Sequence, residues 1–215
     1  MSGTERTVVH LMRHGEVHNP AGVLYGRLPG YHLSERGRQM ADVVAGDLAG
    51  EDVRLVIASP LERAQETAAP IAAAHGLQVH TDPRLIEAGN WFEGKEFGVG
   101  DGSLRHPSVW PRLVNPFRPS WGEPYARIAA RMLGVVDRAR VEAAGHEAVL
   151  VSHQSPVWIA RLALEHRRLW HDPRKRQCSL ASLTSLTYDG DRLLAVAFSE
   201  PAAALLPGAS RVAGA

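Results

Sequence analysis

The chain has 215 residues, 45% of them hydrophobic and 22% charged, with a formal net charge of +1. This suits one globular domain with a substantial core, and it argues against a general nucleic-acid or membrane-surface binder, which would be strongly basic. Cys178 is the only cysteine, so an intrachain disulfide is excluded and a reducing compartment fits.

Residues 1–6 are polar and carry no apolar signal core. No apolar run is long enough to cross a bilayer, so a cytoplasmic protein is expected. Thr7–Met12 (TVVHLM) reads as a buried strand. A loop rich in Gly and Pro follows, and Ser34 then caps a helix running to about Leu48, with Met40, Val43, Val44 and Leu48 on one face. Arg54–Ala58 (RLVIA) reads as a second buried strand. After it, Ser59 as N-cap, Pro60 in the first turn and Glu62 as the reciprocal partner spell a capping box. Leu77–His80 is a short third strand.

From Leu85 to Pro124 periodicity is lost, and Gly, Pro, Trp and Arg accumulate. Such a stretch is often a lid or binding loop, and Arg105, Arg112, Arg118, Trp110 and Trp121 are its candidate contacts. An amphipathic helix from Pro124 to about Ala144 shows Ile128, Met132, Val135, Val136 and Ala139 at helical spacing. Ala148–Ser152 is another buried strand, and Ser155-Pro156 caps a helix to about Glu165. Ser182–Thr187 and Leu193–Phe198 flank Asp189-Gly190, a hairpin signal. Residues 1–200 form one domain. Residues 201–215, mostly Ala, Gly and Pro, are expected to be a flexible tail.

Alternating strands and helices imply an α/β fold, a three-layer α/β/α sandwich with a mainly parallel central sheet. Ligands bind such sheets beyond the carboxyl ends of the strands. One strand ends in Arg13-His14, another at Ser59 with Arg63 soon after, and a third at His153. Two arginines and two histidines thus meet at one edge. Arginine forks suit the oxygens of a phosphate dianion, and a helix N-terminus adds donors. A neutral imidazole can attack phosphorus near pH 7 if a backbone carbonyl holds the proton on its other nitrogen. A leaving alkoxide needs a nearby carboxylic acid.

The same residues carry a family resemblance. Leu11-Met12-Arg13-His14-Gly15-Glu16, Ser59 to Ala68 (SPLERAQETA), Leu85-Ile86-Glu87 with Trp91-Phe92-Glu93-Gly94, and Val151-Ser152-His153 resemble four motifs of the histidine phosphatase superfamily, the phosphoglycerate mutase-like enzymes. The motifs keep the family order from about Thr7 to Phe198. The resemblance implies a phosphoglycerate mutase-like fold and hydrolysis of a small phosphate monoester through a phosphohistidine at His14. It makes Arg13, Arg63 and His153 the phosphate ligands and Glu87 the proton donor. It implies no metal and no organic cofactor; the partner is a small phosphorylated substrate, not nucleic acid or membrane. Gln154 replaces the family's usual glycine, and with Asn19 it is a candidate substrate contact. The segment after Glu87 is slightly short, which leaves Glu93 as the alternative acid. The other functional readings are a phosphoglycerate mutase using the same chemistry and a non-catalytic phospho-ligand-binding regulator.

Overall fold

The computed structural model describes residues 6–91, 93–94 and 122–209. Its strands are β1 (Arg6–Arg13), β2 (Val53–Ala58), β3 (Val79–Thr81), β4 (Glu147–Ser152), β5 (Leu183–Asp189) and β6 (Arg192–Ser199). The helices are α1 (Glu35–Leu48), α2 (Glu62–Ala74), α3 (Tyr125–Glu142) and α4 (Gln154–Leu164). One sheet has the order β3-β2-β4-β1-β5-β6. The pairings among β3, β2, β4 and β1 are parallel; β5 and β6 continue the sheet antiparallel.

The inner strands are apolar on both sides because helices cover both sides. Val9, Leu11, Leu55, Ile57, Ala148 and Leu150 pack with α3 and α4. Their alternate neighbours Met12, Val56, Ala58, Val149 and Val151 pack with α1 and α2. Ile128, Met132, Val135, Val136 and Ala139, the stripe read from the sequence, are all buried on α3. On α1 the stripe is Met40, Val44 and Leu48, whereas Val43 is 42% exposed.

Several local expectations are corrected. Ser34 does cap α1, its side chain accepting from the Gly37 N–H at 3.0 Å. Ser59 does not form a capping box: α2 starts at Glu62 after Leu61. The Ser59 N–H is already spent on the Val151 carbonyl at 2.9 Å, so Glu62 has no donor to reach back to. Helix α4 starts at Gln154, with Ser155 and Pro156 inside its first turn, where proline costs no hydrogen bond. The segment from Pro201, expected to be loose, is packed as far as it is described: Ala202 is buried, and Leu205, Leu206 and Ala209 lie against the core beside α1 and α2. Two leucines within that Ala-Pro-Gly composition supply the anchor. Residue 92 and residues 95–121 lie outside the described residues, and with them Arg105, Arg112, Arg118, Trp110 and Trp121.

Register decides what the sheet delivers. Arg13 is level with Ser152, and Ala58 is level with Val151. The ladder runs on past the strand ends, with His14 N–H donating to the Ser152 carbonyl at 3.0 Å. His14, Ser59 and His153 therefore leave the sheet side by side. The turn after β1 runs close against the start of α1. A Cβ on Gly15 would lie 2.5 Å from the Gly37 oxygen, and one on Gly37 would lie 2.0 Å from the Glu16 oxygen. Glycine at both positions permits that approach.

Candidate active site

His14 is fully buried, and its Nδ1 lies 2.7 Å from the Gly15 carbonyl oxygen. A carbonyl only accepts, so Nδ1 carries the proton and the Nε2 lone pair is unprotonated. No described group bonds Nε2. Burial, then the charges of Arg63 and Arg13, hold the imidazole pKa well below its ordinary range, against the opposing pull of the Gly15 carbonyl. His14 is thus neutral, with a fixed tautomer and a free lone pair. The turn is held by Thr67, whose hydroxyl accepts from the Gly15 N–H at 3.1 Å and donates to the Arg63 carbonyl at 2.7 Å.

Arg63, on the first turn of α2, is completely buried. One terminal nitrogen donates to the Gly26 carbonyl at 2.6 Å and faces His153 Nδ1 at 3.3 Å, while Nε and the other terminal nitrogen have no partner among the described residues. The guanidinium lies 4.7 Å from the centre of the Tyr25 ring, a cation–π contact. Arg13 donates to the Cys178 carbonyl at 2.9 Å and likewise leaves Nε without a bond.

The His153 ring centre is 5.1 Å from that of His14. Its Nε2 is 2.8 Å from the Ser59 hydroxyl, and its Nδ1 faces the Arg63 donor, so Nδ1 is the acceptor and Nε2 holds the proton. Burial first, then the Arg63 charge, depresses its pKa well below the ordinary range. The serine read from the sequence as a helix cap is therefore a partner of the second histidine.

Glu87 is buried, and Oε1 accepts from the Ala88 N–H at 2.7 Å. Its Oε2 has no described partner. Burial raises the carboxyl pKa, opposed by the Ala88 hydrogen bond and by the guanidinium charges of Arg63, Arg176 and Arg13. Those couplings place Glu87 in the same electrostatic neighbourhood as the arginines around His14. Glu93 accepts instead from the Asn90 N–H at 3.1 Å, within its own turn. Arg27 ties the Glu87 segment down: Nε donates to the Glu87 carbonyl at 2.7 Å, and a terminal nitrogen pairs with Glu123 at 2.8 Å. Glu123 also pairs with Arg131 at 3.1 Å, so it is a clasp for this segment and more than a charge near the start of α3.

Asn19 and Gln154 stand apart from this group. Both ends of the Asn19 amide are spent on the Val23 backbone, closing the 19–23 turn. Gln154 Oε1 accepts from Arg176 at 3.4 Å. His10 bonds Ser185 and Glu147 within the sheet. Cys178 is buried, and burial pushes its thiol up to about 11 despite its basic neighbours, so it serves through its carbonyl. Sequence reasoning missed Arg176, Tyr125 and His171, which gather near Glu87. Arg176 and His171 sit in a loop, where no periodicity assigns a direction. Among the described residues no group of three or more His, Cys, Asp or Glu could hold a metal ion, and no helix is long and apolar enough to cross a membrane.

The model of the histidine phosphatase superfamily (branch 1) matches residues 9–201. The chain belongs to the histidine phosphatase superfamily. An uncharacterized protein of Mycobacterium tuberculosis is 65% identical over 199 residues, covering 93% of this chain and 98% of that protein. Phosphoserine phosphatase 1 of Hydrogenobacter thermophilus is 31% identical over 173 residues, covering 74% of this chain and 78% of the relative. Among solved structures, a mycobacterial glucosyl-3-phosphoglycerate phosphatase superposes with a TM-score of 0.68 at 26% identity, covering 85% of this chain and 90% of the other. The α/β architecture of the chain is that of its phosphoglycerate mutase-like structural neighbours.

Proposed function

We propose that the chain hydrolyses a small phosphate monoester through a phosphohistidine on His14 Nε2. The observation that carries this reading is the Nε2 lone pair, unbonded among the described residues and with its tautomer set by the Gly15 carbonyl, in a buried site where donors on Arg13 and Arg63 and an oxygen on Glu87 likewise have no described partner. Unpaired buried polar atoms are costly, and their concentration here suits a bound anion.

The guanidiniums of Arg13 and Arg63 bind the phosphate and stabilise the transferring group. Nε2 forms the N–P bond as the ester P–O bond breaks. Glu87, protonated, gives its proton to the leaving oxygen. In the second half, water adds to phosphorus, the N–P bond breaks, and the Glu87 carboxylate takes the water proton. His153 is neutral with Nδ1 as acceptor when no phosphate is bound. A phosphate dianion favours a proton on Nδ1, turning it into a further donor. The named activities of the Hydrogenobacter and mycobacterial relatives, both phosphatases, support hydrolysis over phosphoryl retention.

The test is phosphate release from a panel of phosphorylated metabolites in the presence of a chelator. Chelator-insensitive release from at least one monoester is expected; interconversion of phosphoglycerate isomers without net release would make the protein a mutase. Tight phosphate binding without turnover of any ester would make it a regulator.

Phosphate binding supplies an independent measurement. Phosphate at one hundred times its dissociation constant stabilises the native state by about 2.7 kcal/mol. For a chain of this size that raises Tm by roughly 5–10 °C. Arg63→Ala is expected to abolish most of that rise. The variant starts from lower stability, having lost the Gly26 and Tyr25 contacts, so the readout is the phosphate-induced shift. An undiminished shift would remove Arg63 from the phosphate site. The two depressed histidines set the sign of the pH dependence. Below about pH 6.5 the unfolded chain protonates them while the native state does not, so stability falls as pH falls toward the native pKa values. Phosphate relieves part of this loss by admitting a proton at His153.

A further inference from the structure

Glu87 stands in a segment without a ladder of its own. After the one-turn helix Pro83–Leu85, no helix or strand covers residues 86–91, and Asn90 makes a single bridge to Gly122. Buried carbonyls still need donors. Four carbonyls of residues 84–89 find them on other parts of the fold. The Arg84 carbonyl accepts from a terminal nitrogen of Arg131 on α3. The Leu85 carbonyl accepts from the Ser152 hydroxyl at the end of β4, at 2.6 Å. The Glu87 carbonyl accepts from Arg27 Nε at 2.7 Å, and the Gly89 carbonyl from the Glu123 N–H at 3.0 Å.

Three of these four bonds run through Glu123. Its Oε2 accepts from a terminal nitrogen of Arg27 at 2.8 Å, while Nε of the same guanidinium holds the Glu87 carbonyl. Its two oxygens accept from Nε and one terminal nitrogen of Arg131, at 3.1 Å each, and the other terminal nitrogen holds the Arg84 carbonyl. The Glu123 N–H is the third. The two backbones approach this closely because residue 122 is glycine: a Cβ there would lie 2.7 Å from the Gly89 oxygen. The Glu123 and Arg131 side chains are each 14% exposed, so their pair is largely withdrawn from water. Exposed ion pairs contribute little, but a bidentate pair of low exposure fixes direction as well as charge.

The Glu87 carboxyl follows its backbone. Oε1 accepts from the Ala88 N–H at 2.7 Å, one residue on, so displacing this backbone displaces Oε2, the oxygen with no described partner. Glu123 borders the same cavity as Glu87, yet both its oxygens are engaged by guanidiniums. Its geometry is that of a hub for the segment and not of a proton donor.

We infer that Glu123 is a positioning residue: by aligning Arg27 and Arg131 on the carbonyls of Glu87 and Arg84, it sets where the Glu87 carboxyl meets the leaving oxygen. This rests on the reading of Glu87 as the proton donor. Proton transfer needs heavy atoms within hydrogen-bond reach, and a misplacement of about 1 Å costs on the order of 10²-fold. Arg13, Arg63 and His153 take their hydrogen bonds from other residues, so the effect belongs to protonation of the leaving group.

The test measures kcat for the fastest alkyl monoester of the metabolite panel and for p-nitrophenyl phosphate. Glu123→Gln is expected to lower kcat on the alkyl ester by roughly 10- to 100-fold. The aryl ester should lose less than about threefold. The ratio of the two rates is read on one sample, so it does not depend on the fraction folded. Glu123→Asp, which restores the charge, should recover part of the alkyl rate. Arg27→Met, which keeps the stem without the fork, should show the same selectivity. The double variant Arg27→Met/Glu123→Gln should lose no more than the worse single, since both act through one set of bonds. Amide hydrogen exchange in Glu123→Gln should quicken across residues 84–90. Equal losses on the two esters would make Glu123 a general stability element and overturn the proposal. A selective loss as large as that of Glu87→Gln, with exchange unchanged, would make Glu123 a proton donor and overturn it too. Failure of the underlying reading looks different: Glu87→Gln then shows no leaving-group selectivity. Selectivity in Glu87→Gln but not in Glu123→Gln defeats the positioning role alone.

Discussion

His14→Ala is expected to reduce hydrolysis of every substrate by roughly 10⁴-fold or more, the scale of removing a covalent nucleophile. The loss should fall on kcat, because the phosphate contacts proposed for Arg13, Arg63 and His153 do not pass through His14. Alkaline quenching of the wild-type protein during turnover should trap a phosphohistidine, and the variant should trap none. The cause is local. Nε2 is the only ring nitrogen of His14 with a free lone pair, since Nδ1 is bonded to the Gly15 carbonyl. Burial and the two arginine charges keep the ring neutral to well below the ordinary imidazole pKa, so the nucleophile remains available in acid. His14→Ala that turns over at the wild-type rate would end the mechanism.

Glu87→Gln is expected to slow alkyl phosphates by roughly 10²- to 10⁴-fold, the usual share of a positioned acid. Aryl phosphates with good leaving groups need no such proton, so p-nitrophenyl phosphate should lose far less. The pH profile follows from the same two groups. In the proposed mechanism, turnover of alkyl esters needs His14 unprotonated and Glu87 protonated. The His14 pKa is lowered, so the acid limb of kcat/KM lies below about pH 6.5. The Glu87 pKa is raised, so the alkaline limb lies above the ordinary carboxylate value of about 4.3. The alkaline limb belongs to the acid and should be shallow or missing for p-nitrophenyl phosphate. If Glu93→Gln shows the leaving-group selectivity and Glu87→Gln does not, the proton donor is Glu93. The geometry supports Glu87, which is buried with one oxygen unbonded among the described residues; Glu93 is bonded inside its own turn.

Local rules failed at informative places. Ser59, Pro60 and Glu62 satisfy every local requirement of a capping box, yet β4 takes the Ser59 N–H and His153 lies 2.8 Å from its hydroxyl. A long-range partner outcompeted a local one because the strand ends lie side by side. Arg176 lies in a loop, outside any segment whose periodicity could assign it a direction. Its direction is set by His171 and Gln154, neither of which shares an element with it. Asn19 was a plausible pocket residue by position, but its own turn consumes its amide.

Composition, periodicity and the ends of the strands were enough to place the strands and helices along the chain, to mark most of the faces they bury, and to single out Arg13-His14, Arg63 and His153; Glu87 came from the resemblance to the histidine phosphatase superfamily. Those features are written in neighbouring residues, because strand alternation and helical spacing are local properties of the chain. The meeting of these residues was decided by the sheet order β2-β4-β1, which brings Arg63 to within 3.3 Å of a histidine 90 residues away. The unbonded nitrogen of His14, the proton-bearing nitrogen of His153 and the orientation of Arg176 all depend on such long-range contacts. A hydrogen-bond partner and a dielectric environment belong to the packed structure, and no pattern of adjacent residues contains them.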